Sequence, residues 1–186
     1  MLLEIRNYGD PVLREAGTVF EQVDDEVREL AENMLETMRE EQGVGLAAQQ
    51  IGLALMICVV HVASEYDLDD AGIRENSDIE MPLVLINPEI LSVSDETWTM
   101  EEGCLSFPGI SASITRPRGI RLRYLDAMGQ IHEIEAQGFL ARVIQHEVDH
   151  LNGVLFLDHM SHVKKVALSG RLKRMKKETQ QHLGLA

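Results

Sequence analysis

Hydrophobic residues recur along this chain with two different periods, and the helical period marks three segments. Apolar side chains spaced by about 3.6 residues predict a helix from a cap at Asp24 or Asp25 to about Glu41, with one face buried. The same spacing predicts an amphipathic helix over 163–182. The residues expected to dock that helix, or to extend its apolar side, are Val166, Leu168, Leu172 and Met175. The remaining helical segment ends at Gly153.

Shorter apolar stretches bounded by turn-forming residues predict strands. They are 53–60, 83–86, 98–100, 120–125 and 131–136. The second is expected to stop before Asn87-Pro88, and residues 126–129 form a hairpin turn between the last two. Residues 64–80 are polar and acidic and are expected to be an exposed loop. Because strands cluster apart from helices, the pattern predicts an α+β fold forming a single domain over 1–186.

The helix that ends at Gly153 is apolar around most of its circumference, which is typical of a buried helix. One apolar stripe contains Leu140, Ile144, Val148 and Leu151. Beside it, about 100° round the helix axis, lie Phe139, Val143, His146 and His150. The polar residues are confined to Arg142, Gln145, Asp149 and Asn152. Buried histidines need partners, because burying an unpaired polar group costs roughly 2–7 kcal/mol.

The segment 145–150 of this helix contains the pattern His-Glu-x-x-His. Two histidines four residues apart share one helix face and can bind one metal ion, while Glu147 can take a proton from a metal-bound water. The pattern therefore indicates metal-assisted hydrolysis. Two surface histidines on a solvated helix would be the alternative, and the apolar flanks argue against it.

A catalytic site of this kind needs a third protein ligand, and the residues leave its identity open. The downstream candidates are Asp158, His159, His162, Glu178 and His182. Upstream, Cys104 lies in the turn-forming segment 101–109 and could complete a Cys-His-His set, or it could be a free buried thiol. The glycines of 43–45 permit close backbone approach, although a helix C-cap would by itself explain Gly43.

The chain has 186 residues and a net charge of −14, and this charge is unevenly distributed. Seven basic residues follow Ser161 against Glu178 alone, so this tail carries +6 and the rest of the chain −20. The acidic body should repel nucleic acid, so no DNA partner is expected, whereas the tail could bind nucleic acid or be only a solvated helix. No apolar run approaches the ~20 residues of a membrane span, and no signal-peptide pattern is present. A cytoplasmic protein without a disulfide framework is expected.

Three motifs occur in order, and together they make the chain resemble a bacterial peptide deformylase. They are Gly-x-Gly-Leu-Ala-Ala-x-Gln at 43–50, Glu-Gly-Cys-Leu-Ser at 102–106 and Gln-His-Glu-x-Asp-His-Leu at 145–151. The resemblance implies an enzyme that removes the formyl group from the N-terminal formyl-methionine of new polypeptides and releases formate. It also implies antiparallel sheets packed around a central metal-binding helix.

The resemblance further implies a role for individual residues. The implied metal ligands are Cys104, His146 and His150. Ferrous iron is the expected native metal, and zinc, nickel or cobalt can substitute for it. Glu147 would accept a proton from the metal-bound water, and the hydroxide would attack the formyl carbon. The backbone N–H of Leu105 and the amide of Gln50 would donate hydrogen bonds to the oxyanion.

Substrate-binding residues are expected around these ligands. They are Val44, Gly45, Met100, Glu102, Gly103, Phe139 and Val143. Helix geometry puts Phe139 and Val143 on the same side of the helix as His146. The backbone of Gly45 would form hydrogen bonds with an extended peptide, which would add to the sheet as a strand. The resemblance also pairs Glu102 with Arg116. Two departures from the family pattern are Ser111, where some members have a basic residue, and the segment 64–80, which is longer than in compact members and is interpreted as a surface insertion.

Two other functions compete with deformylation. A zinc endopeptidase would cut internal peptide bonds and use a downstream third ligand. A non-catalytic metal-binding module would associate with the ribosome through the basic tail. Intact Glu147 and Gln50 favour an enzyme, since a binding module needs neither. In the family the C-terminal helix is thought to dock near the ribosomal exit tunnel, so the tail and catalysis are compatible.

Overall fold

A computed structural model describes residues 1–185, which form a five-stranded antiparallel sheet, a separate two-stranded hairpin and three α-helices. The strands are β1 (Gly45–Ala47), β2 (Ile57–Val60), β3 (Leu83–Val93), β4 (Thr97–Gly103), β5 (Ser111–Pro117), β6 (Gly119–Leu125) and β7 (Ile131–Gln137). The helices are α1 (Asp25–Glu40), α2 (Gly138–Leu151) and α3 (His162–His182). The sheet order is β1-β2-β3-β6-β7, and β4 pairs with β5. This α+β arrangement confirms the predicted fold class.

The large sheet is covered by a helix on each face. Ile57 and Val59 of β2 pack in one core with the buried face of α1, whereas Cys58 and Val60 pack in a second core with α2. Successive strand residues point to opposite faces, so a strand buried on both faces is continuously apolar. The apolar run in this part of the sequence therefore reflects two cores, and α2 is buried at the centre of the molecule.

The predicted strand 53–60 is too long at its start, because only 57–60 are in the sheet. Leu53 is 39% exposed. The residues after it form hydrogen bonds with the N-terminal segment instead. The N–H of Thr18 donates to the carbonyl of Ala54, and the N–H of Met56 donates to the carbonyl of Thr18, each at 2.9 Å. Apolar content alone does not separate a strand from a segment that packs against another loop.

The predicted end of the next strand at Asn87-Pro88 is also wrong, because β3 continues to Val93. The strand passes this point by an irregularity: Asn87 has a φ of 50°, and the pairing with β6 shifts register after Ile86. The Asn87 side chain stabilises the irregularity by accepting from the N–H of Phe20 at 2.9 Å and donating to its carbonyl at 2.8 Å. Pairing therefore continues beyond the proline.

Two strands were not predicted, and each has a physical reason. In β5 every second residue is buried, but one of the buried residues is Arg116, so the alternation is not apolar. β1 has three residues, all buried, and begins two residues after Gly43, which also fits a helix C-cap. Burial of a charged residue and a very short strand both weaken the hydrophobic signal.

The C-terminal helix α3 lies on the surface, and it contains no buried residue in the part of the chain that is described. Leu168, Leu172 and Met175 pack partly against the core around Phe107, as predicted. The predicted docking of Val166 is wrong, since this side chain is 58% exposed. Within residues 1–185, no helix combines the length and the apolar character needed to cross a bilayer.

The expectation that 64–80 is simply an exposed loop is wrong as well. Asp67, Asn76 and Ile79 of this segment are buried, with exposed fractions of 3%, 1% and 6%. Ile79 belongs to the core between the large sheet and α2. A segment of mostly polar composition can thus be anchored at a few positions that composition does not reveal.

Candidate active site

Helix α2 brings His146, Glu147 and His150 to the centre of the protein, and all three are buried. Cys104 lies directly after the end of β4, opposite this helix. Its Sγ atom is 3.3 Å from Nε2 of His150. The potential ligand atoms of Cys104, His146 and His150 all lie within 4.8 Å of one another. None of the downstream candidate ligands belongs to this group in the described chain.

The charges around these three residues suit a bound cation. Burial lowers the pKa of His146, but hydrogen bonds with Cys104 and Glu102 outweigh burial and hold it well above the usual range. The surroundings of this ring therefore favour a positive charge, which a metal at Nε2 would supply in place of a proton. Burial, and then the neighbouring His146, lower the pKa of His150, so its ring is neutral and available as a ligand. Thiolate and imidazole are donors that zinc and ferrous iron accept. The residues therefore fit a divalent transition metal.

Glu102 orients the ring of His146 through a hydrogen bond to its Nδ1 atom. One carboxylate oxygen is 3.1 Å from Nδ1 of His146, which leaves Nε2 free to bind a metal. Arg116 donates to Glu102 through Nε at 2.7 Å and Nη2 at 3.1 Å, so this pairing agrees with the expectation. Burial raises the pKa of Glu102, but the bonds from His146 and Arg116 outweigh burial and hold it far below its ordinary value. The carboxylate stays ionised.

Sequence reasoning missed a second arginine on Glu102. Arg142 is 1% exposed and donates through Nη1 to Glu102, through Nη1 to the carbonyl of Ile114 at 3.1 Å and through Nη2 to that of Trp98 at 2.8 Å. The polar strip of α2 is therefore partly buried. An arginine flanked on the helix by apolar neighbours was the available signal, because such a residue needs an acidic partner when buried.

Glu147 is held against β1 with little room to move. One carboxylate oxygen, Oε2, is buried without a hydrogen-bond partner in the described chain. Burial raises the pKa of this carboxyl to about 7. A Cβ atom added at Gly45 would overlap the other oxygen and lie 2.7 Å from Cδ of Glu147. Glycine is therefore required at position 45 for the carboxylate to occupy this place.

The amide of Gln50 is aimed at the sulfur of Cys104. Its Oε1 accepts from the N–H of Ala47 at 2.8 Å, which leaves Nε2 to face Cys104 Sγ and Ser106 Oγ, each at 3.4 Å. Ser106 was not predicted, although it lies in the same motif as Cys104. Leu105 follows Cys104 directly and packs beside Gly43, so its backbone N–H is one residue from the thiol.

A cavity of about 510 Å³ opens onto this site, and His150 lies behind its described lining. The predicted site residues that line it are Val44, Gly45, Gln50, Glu102, Gly103, Cys104, Leu105, Phe139, Val143, His146 and Glu147. Met100 is not among the described lining residues; it is 38% exposed on β4, two residues before Glu102 and so on the same face of that strand. At position 111 the serine donates to Glu101, which also lines the cavity.

A Cys-His-His cluster next to a buried carboxyl with a pKa near neutrality, inside a cavity, defines the class of a metal-dependent hydrolase. A family model described as polypeptide deformylase matches residues 2–166. The peptide deformylase of Opitutus terrae is 43% identical, covering 96% of this chain and 95% of that protein. The peptide deformylase of Agrobacterium fabrum is 47% identical over 84% of this chain and 85% of that protein.

Solved structures agree with these relatives. A crystal structure of the peptide deformylase of Ehrlichia chaffeensis matches with a TM-score of 0.83 and 40% identity, covering 94% of this chain and 96% of that one. Peptide deformylase 1B of Arabidopsis thaliana matches with a TM-score of 0.85 and 33% identity, covering 98% and 95%. The chain belongs to the polypeptide deformylase family.

Proposed function

We propose that this protein removes the formyl group from the N-terminal formyl-methionine of newly made polypeptides and releases formate. The convergence of Cys104, His146 and His150 next to Glu147 carries this proposal. Membership of the deformylase family supports it. An endopeptidase would be expected to use a downstream ligand, and a pure binding module has no need of a buried carboxyl with a pKa of about 7.

Cys104, His146 and His150 would hold the metal, with Glu102 fixing the ring of His146. A divalent cation there would make an adjacent water more acidic and polarise the formyl carbonyl. We propose ferrous iron as the native ion, as the resemblance to the family implies. Zinc, nickel or cobalt could replace it, because one thiolate and two imidazoles suit all four metals. The thiolate also explains why oxygen would damage the site.

Glu147 moves the proton in the reaction. Its unpartnered Oε2 accepts a proton from the attacking water, whose oxygen bonds to the formyl carbon. The carbon–nitrogen bond then breaks, and Glu147 gives the proton to the departing amine nitrogen. A pKa of about 7 suits both steps, since the carboxyl can gain and lose the proton near neutral pH. The products are a free N-terminus and formic acid, which loses its remaining proton to solvent and leaves as formate.

Gln50 and Leu105 stabilise the negative charge that develops on the formyl oxygen. The Gln50 amide points its N–H groups at Cys104 because Ala47 holds its oxygen. The Leu105 N–H supplies the second donor. Removing one donor from such a site typically lowers kcat by about 10²–10³-fold.

The cavity receives the methionine side chain, and the peptide backbone lies along β1. Phe139, Val143 and Val44 give the cavity apolar walls, with Gly103 beside them and Met100 at its edge. Gly45 lies on an edge strand of the large sheet, so its backbone groups can pair with an extended peptide. Substrate would thus extend the sheet while its first side chain fills the cavity.

The experiment is formate release from formyl-Met-Ala-Ser by protein loaded anaerobically with ferrous iron. The parent should turn over, and Glu147→Ala should lose nearly all activity while retaining its metal. A fully metallated parent that releases no formate would refute the proposal. Activity that survives Glu147→Ala would refute the role of the carboxyl as the base.

We also propose that the chain acts as one catalytic domain in the cytoplasm, where nascent formylated polypeptides are made, and that α3 binds the ribosome. The basic residues of the tail lie on a helix without a buried residue in the described chain. Ribosome co-sedimentation at low and moderate salt should weaken when the lysines at 173, 176 and 177 are changed to glutamate, because RNA binding by basic residues is electrostatic. Equal sedimentation of both forms would reject this role.

A further inference from the structure

The segment 64–80 is organised around a buried polar pair, Asp67 and Asn76. The backbone N–H of Asn76 donates to Oδ2 of Asp67 at 3.2 Å, and its side-chain amide donates to Oδ1 at 2.5 Å. Nε of Arg74, a half-exposed side chain, lies 3.4 Å from Oδ2 of the same carboxylate. A buried polar pair is costly unless all its groups are satisfied, so its position is fixed by these bonds.

Asn76 uses the rest of its amide to hold the backbone where β7 becomes α2. Its Oδ1 accepts from the N–H of Gln137 at 2.8 Å, and its Nδ2 donates to the carbonyl of Gln137 at 3.1 Å. Gln137 is the cap residue of α2, and its own side chain makes no capping bond. One buried side chain thus fixes both backbone groups at the start of the catalytic helix.

A second contact holds the next residue. Glu75 pairs with Arg118 at 2.8 Å, and the carbonyl of Arg118 accepts from the N–H of Gly138 at 2.8 Å. Gly138 has a φ of +58°, and a Cβ atom there would overlap the carboxylate of Glu75. The segment therefore packs directly on the backbone that precedes Phe139.

Phe139 is the first side chain of α2 that lines the cavity, and the same segment contacts its ring. The Tyr66 ring lies 6.5 Å from that of Phe139 at an interplanar angle of 53°, within the range of attractive aromatic pairs. Tyr66 is 63% exposed. The ring of Phe139 thus lies between the cavity and Tyr66.

We infer that segment 64–80 is a specificity-determining wall of the active site, in which Asn76 and Tyr66 are positioning residues that act through Phe139. This inference rests on the proposed deformylase function. With Phe139 held in place, the cavity favours a long first side chain such as methionine over a short one. If the segment is loosened, Phe139 moves and this discrimination falls, while the metal ligands and Glu147 keep their places.

The test compares kcat/KM for formyl-Met-Ala-Ser and formyl-Ala-Ala-Ser on the same preparation, because their ratio does not depend on the fraction of active protein. Tyr66→Ala should lower the ratio about two- to tenfold, the range of an aromatic contact. Asn76→Ala should lower it about tenfold, through a higher KM for the methionine peptide. Tyr66→Phe, which keeps the ring, should restore the parent ratio. Ile73→Ala, an exposed position of the same segment, is the matched control.

If Tyr66→Ala has the same ratio of kcat/KM values as the parent, the inference is wrong. Because Tyr66 is exposed, this variant should fold normally. An equal drop in kcat for both peptides in Asn76→Ala, with an unchanged ratio, would mean that the segment only stabilises the fold. A fall of the ratio in Ile73→Ala as large as in Tyr66→Ala would also overturn it. A parent that hydrolyses neither peptide would instead refute the deformylase function itself.

Discussion

Gly45 offers the sharpest perturbation of this site, because the space for its missing side chain is filled by the Glu147 carboxylate. A Cβ atom at position 45 would lie 2.7 Å from Cδ of Glu147, whereas ordinary contact begins at 3.4 Å. In Gly45→Ala the carboxyl must therefore retreat by about 0.7 Å, and a displacement near 1 Å can cost about 10²-fold in rate. We expect kcat to fall about ten- to hundredfold.

The assay is formate release from formyl-Met-Ala-Ser, with metal content measured on the same sample. Since the three atoms nearest the added Cβ all belong to Glu147 and none to a metal ligand, the variant should retain its metal while kcat falls. Gly170→Ala is the matched control, because a Cβ atom there meets nothing within 4 Å. It should keep parent activity and gain about 0.5–1 kcal/mol of helix stability. Full activity of metallated Gly45→Ala would refute the argument that this glycine makes room for the base.

Three further predictions follow from other contacts. Glu102→Gln leaves the buried Arg142 without a carboxylate partner and His146 loosely held, so chelator competition should show about ten- to hundredfold weaker metal binding; unchanged affinity would contradict this. Cobalt-loaded parent should show a thiolate-to-cobalt absorption band that Cys104→Ser lacks, and a band in the variant would assign the sulfur elsewhere. Burial raises the pKa of Asp158, but hydrogen bonds from Arg14 and a backbone N–H leave it below the ordinary 3.8. Its stabilisation is therefore present above pH 3.8 and lost as the pH falls through the folded pKa. Asp158→Asn should lower the free energy of unfolding by up to about 1 kcal/mol at pH 7, with a gap to the parent that closes in acid; a gap independent of pH would count against the ion pair.

The sequence was most informative where a single physical signal dominated. Helical spacing located α1 and α2 to within a few residues, and Asp24 caps α1 by accepting from the N–H of Val27 at 3.0 Å. The motif on α2 identified His146 and His150, which geometry then brings together. Cys104 could not be chosen from the residues alone, since its approach to the histidines depends on how β4 packs against α2. Only the resemblance to a family selected it.

Buried polar residues explain most of what could not be predicted. Arg116 hides the alternation of β5, and Arg142 on α2 lies among apolar neighbours because Glu102 pairs with both. Asn76 looks like an ordinary loop residue, yet its amide anchors the start of α2. In each residue, burial is stabilised by partners distant in sequence, and hydrophobic patterns carry no information about such partners.

The reaction itself can be followed by mass spectrometry of a longer formyl-methionyl peptide incubated with the iron-loaded protein. We predict one change, the replacement of the formyl group by hydrogen at the N-terminus, with formate released in equal amount and every internal peptide bond intact. Internal fragments that keep the formyl group would indicate an endopeptidase, and an unchanged peptide would indicate a binding module. Either result would refute deformylation by this protein.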